Sequence, residues 1–523
     1  MIDAGIIFAY FAVIMVVGWR SRSRGKVTAD EYFLSSRSLK WPSIAVSTIA
    51  TNISAGHFIS VAGSAYVFGL AQANLELNAI FGILMAVFVF VPLYLRAKVT
   101  TISQFFEDKF GPKVALAYST LMMVLYACLY LGMSLFWASY AIDSLFGELV
   151  GFISTDQIVR LCVLVVALGS FSAFYTYLGG LSAVVRTDAV QFVLLVGGGL
   201  ITVGLAMYHL GGPLELWELR SISYPDTHPM HLHLPASDPK LPWVALIGMN
   251  LLNLNYWGAN QVILQRALAA RSLRHAQVGL LVGGLFKYLM VLILIIPAIA
   301  LIGIHGQTLD DPDQAYSTLI NTLLPTGLRG LILCGLFASL MSTVDSIFNS
   351  VSTLWSVDIY KRHLRPEAND EQVVAMGKKA ILGTLFVGVS FAFVVVSIKS
   401  GAGRGDAFTH WFNELSYYIK NGFVLLICAA VFLIRPSRRL VLLALATSIP
   451  MYLTLKLAVP ELNYFVRAAI VIATSFLLVA IPTWLRNGWR IPLASLVQVS
   501  GRDVGRFGVV MAASLVACHI VFH

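Results

Sequence analysis

The chain has 523 residues, of which 58% are hydrophobic and only 12% are charged. Its mean hydropathy of +0.80 excludes a soluble protein, because repeated apolar runs of about 18 or more residues indicate transmembrane helices. The net charge of +10 does not require a nucleic-acid partner, since basic residues also collect in the cytoplasmic loops of membrane proteins. We therefore expect a chain that crosses a lipid bilayer many times.

The apolar runs are continuous and lack the alternation of barrel strands, which predicts an all-α polytopic membrane protein. The first run carries Asp3 where a signal peptide has basic residues, so we expect it to be retained as a helix. The five cysteines lie apart in apolar runs and predict neither disulfides nor a metal site. About fourteen segments are long enough to span, at roughly 3–20, 42–68, 73–95, 115–146, 156–178, 186–209, 242–266, 279–304, 326–356, 379–399, 409–434, 438–457, 464–485 and 507–522.

Basic residues set the expected orientation, because Lys and Arg accumulate on the cytoplasmic side. If the N-terminus lies outside, the inside loops receive most of them, which predicts a plasma membrane or bacterial inner membrane protein with both termini outside. The stretches that carry these residues are 20–40, 96–113, 266–274, 361–379, 435–439 and 486–506.

The second segment interrupts its own apolar run. Residues 44–70 are IAVSTIATNISAGHFISVAGSAYVFGL, with Thr, Asn, Ser, Gly and His at the centre. A backbone group without a partner in hydrocarbon costs several kcal/mol, so this helix must face a cavity. Its unwound carbonyls can bind a cation, and the polar side chains beside them can bind a solute.

A second interrupted segment follows five segments later, with Asn250, Asn253, Asn255 and Asn260 at membrane depth. This spacing predicts an inverted repeat of five helices plus five. We predict five parts of the chain: an extra N-terminal helix with a basic cytoplasmic loop (1–41), the first repeat (42–209), an outside loop (210–241), the second repeat (242–434) and three peripheral helices (435–523).

Charged residues at membrane depth are costly and indicate function or pairing. Lys287 lies too deep in an apolar run to reach the surface, so it needs a partner such as Glu76. For Asp188, Glu414 and Lys420, ion pairing between helices or a position at a helix end is the alternative.

Hydroxyl side chains recur on one face of the ninth segment, at spacings of three and four residues. This stripe is typical of closely packed small residues or of oxygen ligands for Na⁺ that face unwound carbonyls. Its members are Ser339, Ser342, Thr343, Ser346 and Ser350.

Four stretches carry a further signal: ATNISAGHFISVAGSAY, YLGGLSAVVRTDAVQ, NYWGANQVILQRALAARS and LFASLMSTVDSIFNSVSTLWSVDIYK. Together they resemble the signature regions of the sodium:solute symporter family, particularly its sodium/glucose cotransporter branch. The resemblance covers about residues 1–430. It implies a LeuT-like fold with alternating access, in which Na⁺ drives uptake of a small polar solute, a sugar or a sugar-like compound.

The resemblance also implies the site residues. The family's sodium site falls on the carbonyls of Ala50, Ile53 and Ser339 and the hydroxyls of Ser342 and Thr343. Its solute-contacting positions fall on Asn52, His57, Glu76, Asn253, Lys287 and Asn413, and its inner aromatic gate on Tyr256 beside Trp257. These amide, imidazole, charged and aromatic groups suit a polyhydroxylated solute. Where sugar cotransporters carry Gln and a Gly-Pro pair, this chain has Asn413 and the pair Lys420 and Asn421.

A second Na⁺ site is a further hypothesis, built from Asp188, Ser342, Asp345 and Ser346. Related symporters with two-ion coupling use the Asp188 position, and Asp345 replaces a hydroxyl of the sugar cotransporters. Two converging carboxylates would hold a cation or share a proton. The alternative is that Asp188 pairs with Arg186 or caps a helix at the inner surface.

Two classes of function stay open at this point. The first is a Na⁺-coupled symporter for a sugar, a sugar acid such as sialic acid, a polyol or a related solute. The second is a membrane-embedded sensor or uncoupled channel with the same fold. The chain contains no phosphate loop and no ATPase or kinase motif, so we do not expect an enzyme.

Overall fold

The computed structural model describes residues 2–21, 27–54, 56–306, 308–401, 408–488 and 496–523. Parts of two predicted inside loops, 22–26 and 489–495, lie outside these ranges. Within them, ten helices are long and apolar enough to cross a membrane. In chain order the helices are α1 (Ile2–Arg20), α2 (Ala29–Leu34), α3 (Trp41–Asn52), α4 (His57–Ala97), α5 (Ile102–Phe110), α6 (Pro112–Gly147), α7 (Gln157–Leu210), α8 (Ala245–Gly258), α9 (Gln261–Leu268), α10 (Leu273–His305), α11 (Ala315–Leu323), α12 (Leu328–Leu364), α13 (Asp370–Gly401), α14 (Phe408–Phe432), α15 (Arg438–Ala458), α16 (Tyr464–Asn487) and α17 (Arg502–Val521).

The fourteen predicted segments correspond to these helices, although several share one. The second segment is divided between α3 and the start of α4, and the rest of α4 is the third. The 54 residues of α7 contain the fifth and the sixth. The seventh is divided between α8 and α9. The count of ten spans is lower than fourteen for three reasons: α7 covers two crossings, the second and seventh segments are interrupted, and the first segment counts among the shorter apolar helices of the described residues.

Gly180 makes the turn between the two crossings of α7. Its φ of 53° is in the left-handed region, which costs a residue with a Cβ about 1–2 kcal/mol. A Cβ at this position would also lie 2.4 Å from the carbonyl oxygen of Tyr32. The Tyr32 hydroxyl donates to the carbonyls of Thr176 and Tyr177 at 3.3 and 3.2 Å, which satisfies backbone groups at the end of the first crossing.

The predicted break in the second segment is present between α3 and α4. Ile53 is extended, with φ −83° and ψ 108°. The amide of Ser54, which would bond the carbonyl of Ala50 in a continuous helix, donates to His57 Nδ1 instead, at 3.0 Å. The amide of His57, the helical partner of the Ile53 carbonyl, donates to the carbonyl of Ser54. The Ala50 and Ile53 carbonyls thus lose the partners that a continuous helix supplies.

The predicted break in the seventh segment is also present, and tyrosine hydroxyls close it. The carbonyls of Gly258 and Ala259 accept hydrogen bonds from Tyr94 and Tyr118, the latter at 2.5 Å. The side chain of Asn260 caps α9 by accepting from the amide of Val262 at 3.0 Å, and it accepts from Tyr126 as well. This break therefore has its polar groups satisfied by side chains from α4 and α6.

The hydroxyl face of the ninth segment lies at the centre of the molecule. Its helix, α12, is the most deeply buried of the ten candidate spans and packs against α3 and α7. The stripe of Ser and Thr residues therefore meets the break between α3 and α4. A bond from the hydroxyl of Thr343 to the carbonyl of Thr51, at 3.1 Å, joins the two elements directly.

Replacement of Gly180 tests the turn in α7. We expect Gly180→Ala to lower the free energy of unfolding by about 1–2 kcal/mol or more, because the strained backbone and the contact with Tyr32 both oppose a Cβ. Gly197→Ala is the control, since this glycine lies in the same helix and a Cβ there meets nothing within 4 Å. Thermal unfolding of the purified protein in detergent measures both variants, and equal midpoints would contradict the prediction.

Candidate functional site

A central cavity of about 260 Å³ lies beside the break between α3 and α4. Side chains from α3, α4, α6, α8, α10, α12, α14 and α16 line it. All eight residues that the sequence predicted for solute binding are among them. They are Asn52, His57, Glu76, Asn253, Tyr256, Trp257, Lys287 and Asn413.

Glu76 and Lys287 form an ion pair at the wall of this cavity. Lys287 Nζ lies 2.6 Å from Glu76 Oε2, and only 3% and 7% of the two side chains are exposed. The predicted contact between these two charges is therefore confirmed. Because both are removed from water, loss of either partner would leave a buried charge uncompensated.

Further hydrogen bonds extend this pair into a chain of five side chains, which we call the polar network: Tyr256, Asn52, Lys287, Glu76 and His57. Asn52 accepts from Lys287 and donates through Nδ2 to the Tyr256 hydroxyl at 2.6 Å. His57 Nε2 lies 3.4 Å from Glu76 Oε1. Because its Nδ1 accepts from the Ser54 amide, the network assigns the proton to Nε2.

Other groups on the cavity wall offer unused polar atoms and aromatic faces. Trp257 Nε1 and Asn255 Oδ1 are buried and have no hydrogen-bond partner among the described residues, although both residues line the cavity. The Trp257 ring also lies 5.9 Å from Lys287 Nζ. A buried donor and a buried acceptor without partners are costly, and a solute with hydroxyl groups could satisfy them if their side chains turned towards the cavity.

The five predicted sodium ligands divide between α3, its break and α12. The hydroxyl of Thr343 lies 3.1 Å from the carbonyl oxygens of both Thr51 and Ser339 and shares its one proton between them. The hydroxyl of Ser342 donates to Asp188. A hydroxyl that donates one hydrogen bond keeps its oxygen lone pairs for a cation. With the carbonyls of Ala50 and Ile53 released by the break, this region supplies the hard oxygens that Na⁺ prefers.

Asp188 has a partner that the sequence did not predict. The guanidinium of Arg266, only 1% exposed, lies 3.6 Å from its carboxylate. The same guanidinium donates to Ser47 at 2.6 Å, to Thr51 at 2.5 Å and to Ser346. A protein cation therefore already contacts two of the four groups assigned to the second Na⁺ site. The alternative pairing with Arg186 is wrong, because Asp188 is fully buried and paired with Arg266, whereas the Arg186 side chain is exposed.

Asp345 is held by hydroxyl groups of α7. Its carboxylate accepts hydrogen bonds from Ser172, Tyr175 and Thr176, whereas Asp188 accepts from Ser47 and Ser342 and faces Arg266. The prediction that the two carboxylates converge on one shared cation is corrected by this geometry. Each has its own set of donors, because Asp188 lies on the second crossing of α7 and faces α3 and α12, whereas Asp345 lies on α12 and faces the first crossing of α7.

Sequence reasoning missed Arg266, which it counted among the basic residues of an inside loop. The signal that could have found it is the run VILQRALAA, in which two polar side chains are surrounded by apolar residues on both sides. All eight residues of α9 are buried, including Gln265 and Arg266. The hydroxyls of Tyr94, Tyr118 and Tyr126 were missed as well, because aromatic residues in apolar runs give no sign of what their hydroxyls bond.

The fold and the site together define a polytopic membrane protein with two interrupted helices that flank a central polar cavity. The model of the sodium:solute symporter family matches residues 32–435, and the chain belongs to this family. A solved Na⁺-coupled sialic acid symporter aligns with a TM-score of 0.78 at 21% identity, over 93% of this chain and 98% of that one. The predicted LeuT-like fold class is thereby confirmed.

Two curated relatives are each about one third identical to this chain in sequence. Sodium/myo-inositol cotransporter 2 of Mus musculus is 32% identical over 452 residues, which cover 80% of this chain and 64% of the relative. Sodium/glucose cotransporter 1 of Oryctolagus cuniculus is 32% identical over 435 residues, which cover 76% of this chain and 64% of the relative. The chain thus spans less than two thirds of the length of these relatives.

The buried pair in the cavity leads to a stability prediction. We expect Glu76→Gln and Lys287→Met each to lower the free energy of unfolding by about 3–5 kcal/mol, because each leaves an unpaired buried charge. The double variant should recover most of this loss. Arg274→Gln is the control, since it breaks a pair with Asp503 whose side chains are 61% and 58% exposed, and should change stability by about 1 kcal/mol or less. Additive losses in the double variant would contradict the prediction.

Proposed function

We propose that this protein is a Na⁺-coupled symporter that imports a small polyhydroxylated solute by alternating access. The main support for the proposal is that one interrupted helix provides both a residue of the solute cavity and carbonyl oxygens for Na⁺. The side chain of Asn52 belongs to the polar network of the cavity, and the carbonyls of Ala50 and Ile53, on either side of it, are released by the break. The two curated relatives are both sodium cotransporters, which supports the same activity here rather than an enzymatic one.

Shared backbone is the basis of coupling in this proposal. A Na⁺ ion held by Ala50, Ile53, Ser339, Ser342 and Thr343 fixes the peptide groups on both sides of Asn52. A solute held by Asn52 orders the same peptide groups from the other side. Each ligand then lowers the entropic cost of binding the other, and this coupling is reciprocal.

The solute contacts we propose are the eight cavity residues named above. Asn52, Asn253 and Asn413 offer amides that both donate and accept, while the Glu76–Lys287 pair and His57 bond hydroxyl groups at the wall. Tyr256 and Trp257 provide aromatic faces for the C–H surface of a ring. The relatives are described as cotransporters of myo-inositol and of glucose, both compact solutes rich in hydroxyl groups.

The proposed core consists of the repeats 42–209 and 242–434, each of which begins with an interrupted helix. For Na⁺ we propose a single site per solute. Arg266 already provides a positive charge beside Asp188 and Ser346, so electrostatic repulsion opposes a second cation there.

The proposed topology places both termini outside, in a plasma membrane or bacterial inner membrane. Hydrogen bonds between predicted outside segments support it: Asp3 accepts from the amides of Gly327 and Gly330, and His231 in the long loop bonds the carbonyl of His523. Predicted inside segments are joined in the same way, as Arg362 is to Glu107 at 2.6 Å.

Uptake into proteoliposomes tests the function. We expect an inward Na⁺ gradient to drive accumulation of a labelled solute above equilibrium, and accumulation to stop when the gradient is removed. Entry down the solute gradient alone, with no response to Na⁺, would instead support an uncoupled channel and contradict the symporter.

Variants of the ion ligands test the proposed sodium site. We expect Ser342→Ala and Thr343→Ala each to weaken Na⁺ binding by about 1–3 kcal/mol, because each removes an oxygen ligand. Thr384→Ala is the matched control, since Thr384 is buried and bonds the carbonyl of Ala380 within its own helix. The Na⁺ concentration for half-maximal uptake measures all three. If both ligand variants keep the wild-type value, the assignment is wrong.

The stoichiometry is tested separately. We expect a Hill coefficient for Na⁺ near one in the wild type, because the guanidinium of Arg266 takes the position of a second cation. Uptake rates over a range of Na⁺ concentrations, at saturating solute, provide the value. A coefficient approaching two would restore the second Na⁺ site.

A further inference from the structure

The charges around the cavity do not balance. Glu76, the acidic residue among those that line it, is engaged by Lys287 and His57. The wall contains a second lysine, Lys420, on α14. Among the described residues that line the cavity, one carboxylate is matched by two lysine side chains, an excess of one basic group.

Lys420 is buried without an acidic partner. Its side chain is only 8% exposed, and within the described part of the chain no carboxylate lies in ion-pair distance of it. Glu414, the acidic residue of the same helix, is engaged by Arg467 at 2.7 Å and by Lys456 at 3.1 Å. A buried ammonium group that lacks a counter-charge is unfavourable, so this position favours any anion that enters.

Two aromatic rings hold the ammonium group at the cavity. Lys420 Nζ lies 5.2 Å from the ring centroids of both Tyr130 and Tyr417, and these rings line the same cavity. Cation–π contacts orient a cation without neutralising its charge. The amino group of Lys420 is therefore held at the cavity wall, where a solute can contact it.

The register of α14 places Lys420 within reach of a solute at the polar residues. Asn413, Tyr417 and Lys420 follow at spacings of four and three, so they share one face of the helix. Asn413 and Lys420 are separated by about 10 Å along the axis. An amide side chain and a lysine side chain can close this distance from both ends around one sugar ring.

We propose that the solute is a sugar acid, a monosaccharide-sized compound whose carboxylate binds Lys420 while its hydroxyl groups bind Asn413 and the polar network. The inference rests on the proposed transport function and specifies its substrate class. A carboxylate fits better than a phosphate, because one excess cation matches a single negative charge, whereas a phosphate ester carries about −1.5 to −2 at neutral pH.

Binding to the purified full-length protein in detergent, with Na⁺ present, tests the inference by calorimetry. The probes are matched pairs that differ by one carboxylate, D-glucuronate against D-glucose and D-galacturonate against D-galactose, with D-glucose 6-phosphate as the dianion. We expect the acid of at least one pair to bind tenfold or more tightly than its neutral partner and than the phosphate. If both acids bind no more tightly than their neutral partners, or if neither acid binds, the inference is overturned. If D-glucose 6-phosphate binds more tightly than both acids, the proposed ligand is a sugar phosphate and the carboxylate assignment fails.

Variants of Lys420 assign the preference to this residue. We expect Lys420→Gln to remove the tenfold preference for the acid and Lys420→Arg to retain most of it. Lys456→Gln is the control, because Lys456 is a partly exposed lysine on the neighbouring helix α15 and should leave the preference intact. Stabilisation by Na⁺ alone, measured as a thermal shift in each variant, verifies the fold. A preference that survives Lys420→Gln would overturn the role of Lys420.

The same measurements separate this inference from the proposed function. If the sugar acid binds through Lys420 but an inward Na⁺ gradient does not drive its accumulation, the symport proposal fails and the solute class stands. If Na⁺ drives accumulation of the neutral sugars with no preference for the acids, symport stands and the sugar-acid inference fails.

Discussion

Backbone polar groups inside a bilayer must find partners within the protein, and the rest of this structure depends on how two interrupted helices meet that requirement. The two breaks differ. Tyrosine hydroxyls and the side chain of Asn260 close the break between α8 and α9. The break between α3 and α4 leaves the carbonyls of Ala50 and Ile53 without helical partners. Equivalent positions of the two predicted repeats thus serve different purposes, because only one of them is left available for a cation.

The arrangement of buried charge follows from the same low-dielectric surroundings. Glu76 and Lys287 are in contact because either charge alone, buried without a partner, would be strongly unfavourable. Arg266 lies against Asp188 among the hydroxyls of Ser47, Thr51 and Ser346. Thr51 bonds Arg266 through its side chain and Thr343 through its carbonyl. The residue beside it, Asn52, belongs to the polar network. A few residues of α3 therefore connect the charge cluster, the cation ligands and the cavity.

Much of this architecture could be predicted from the sequence, because its signals are local. Apolar runs give the helices, and Asn, Ser and Gly within them give both breaks. The contact between Glu76 and Lys287 could be predicted since the cost of a deep lysine requires a nearby acid. The placement of residues that are far apart in sequence could not be predicted in this way. Arg266 resembles the basic residues that follow it in sequence, and only packing shows that α9 is buried. The separate donors of Asp188 on α7 and Asp345 on α12 depend on which helices pack against each residue, a property that periodicity does not determine.

The tyrosine caps of the second break have a consequence for how variants of this protein are interpreted. Phenylalanine at position 94, 118 or 126 removes one oxygen atom and increases hydropathy. Insertion into the membrane responds to hydropathy, so the altered chain would enter the bilayer with its topology unchanged. The defect would appear afterwards, when the helices assemble and a carbonyl of Gly258 or Ala259 finds no donor, or the side chain of Asn260 keeps only the amide of Val262. Such substitutions, which keep the aromatic ring and favour insertion, would yield protein that is correctly inserted but incompletely folded.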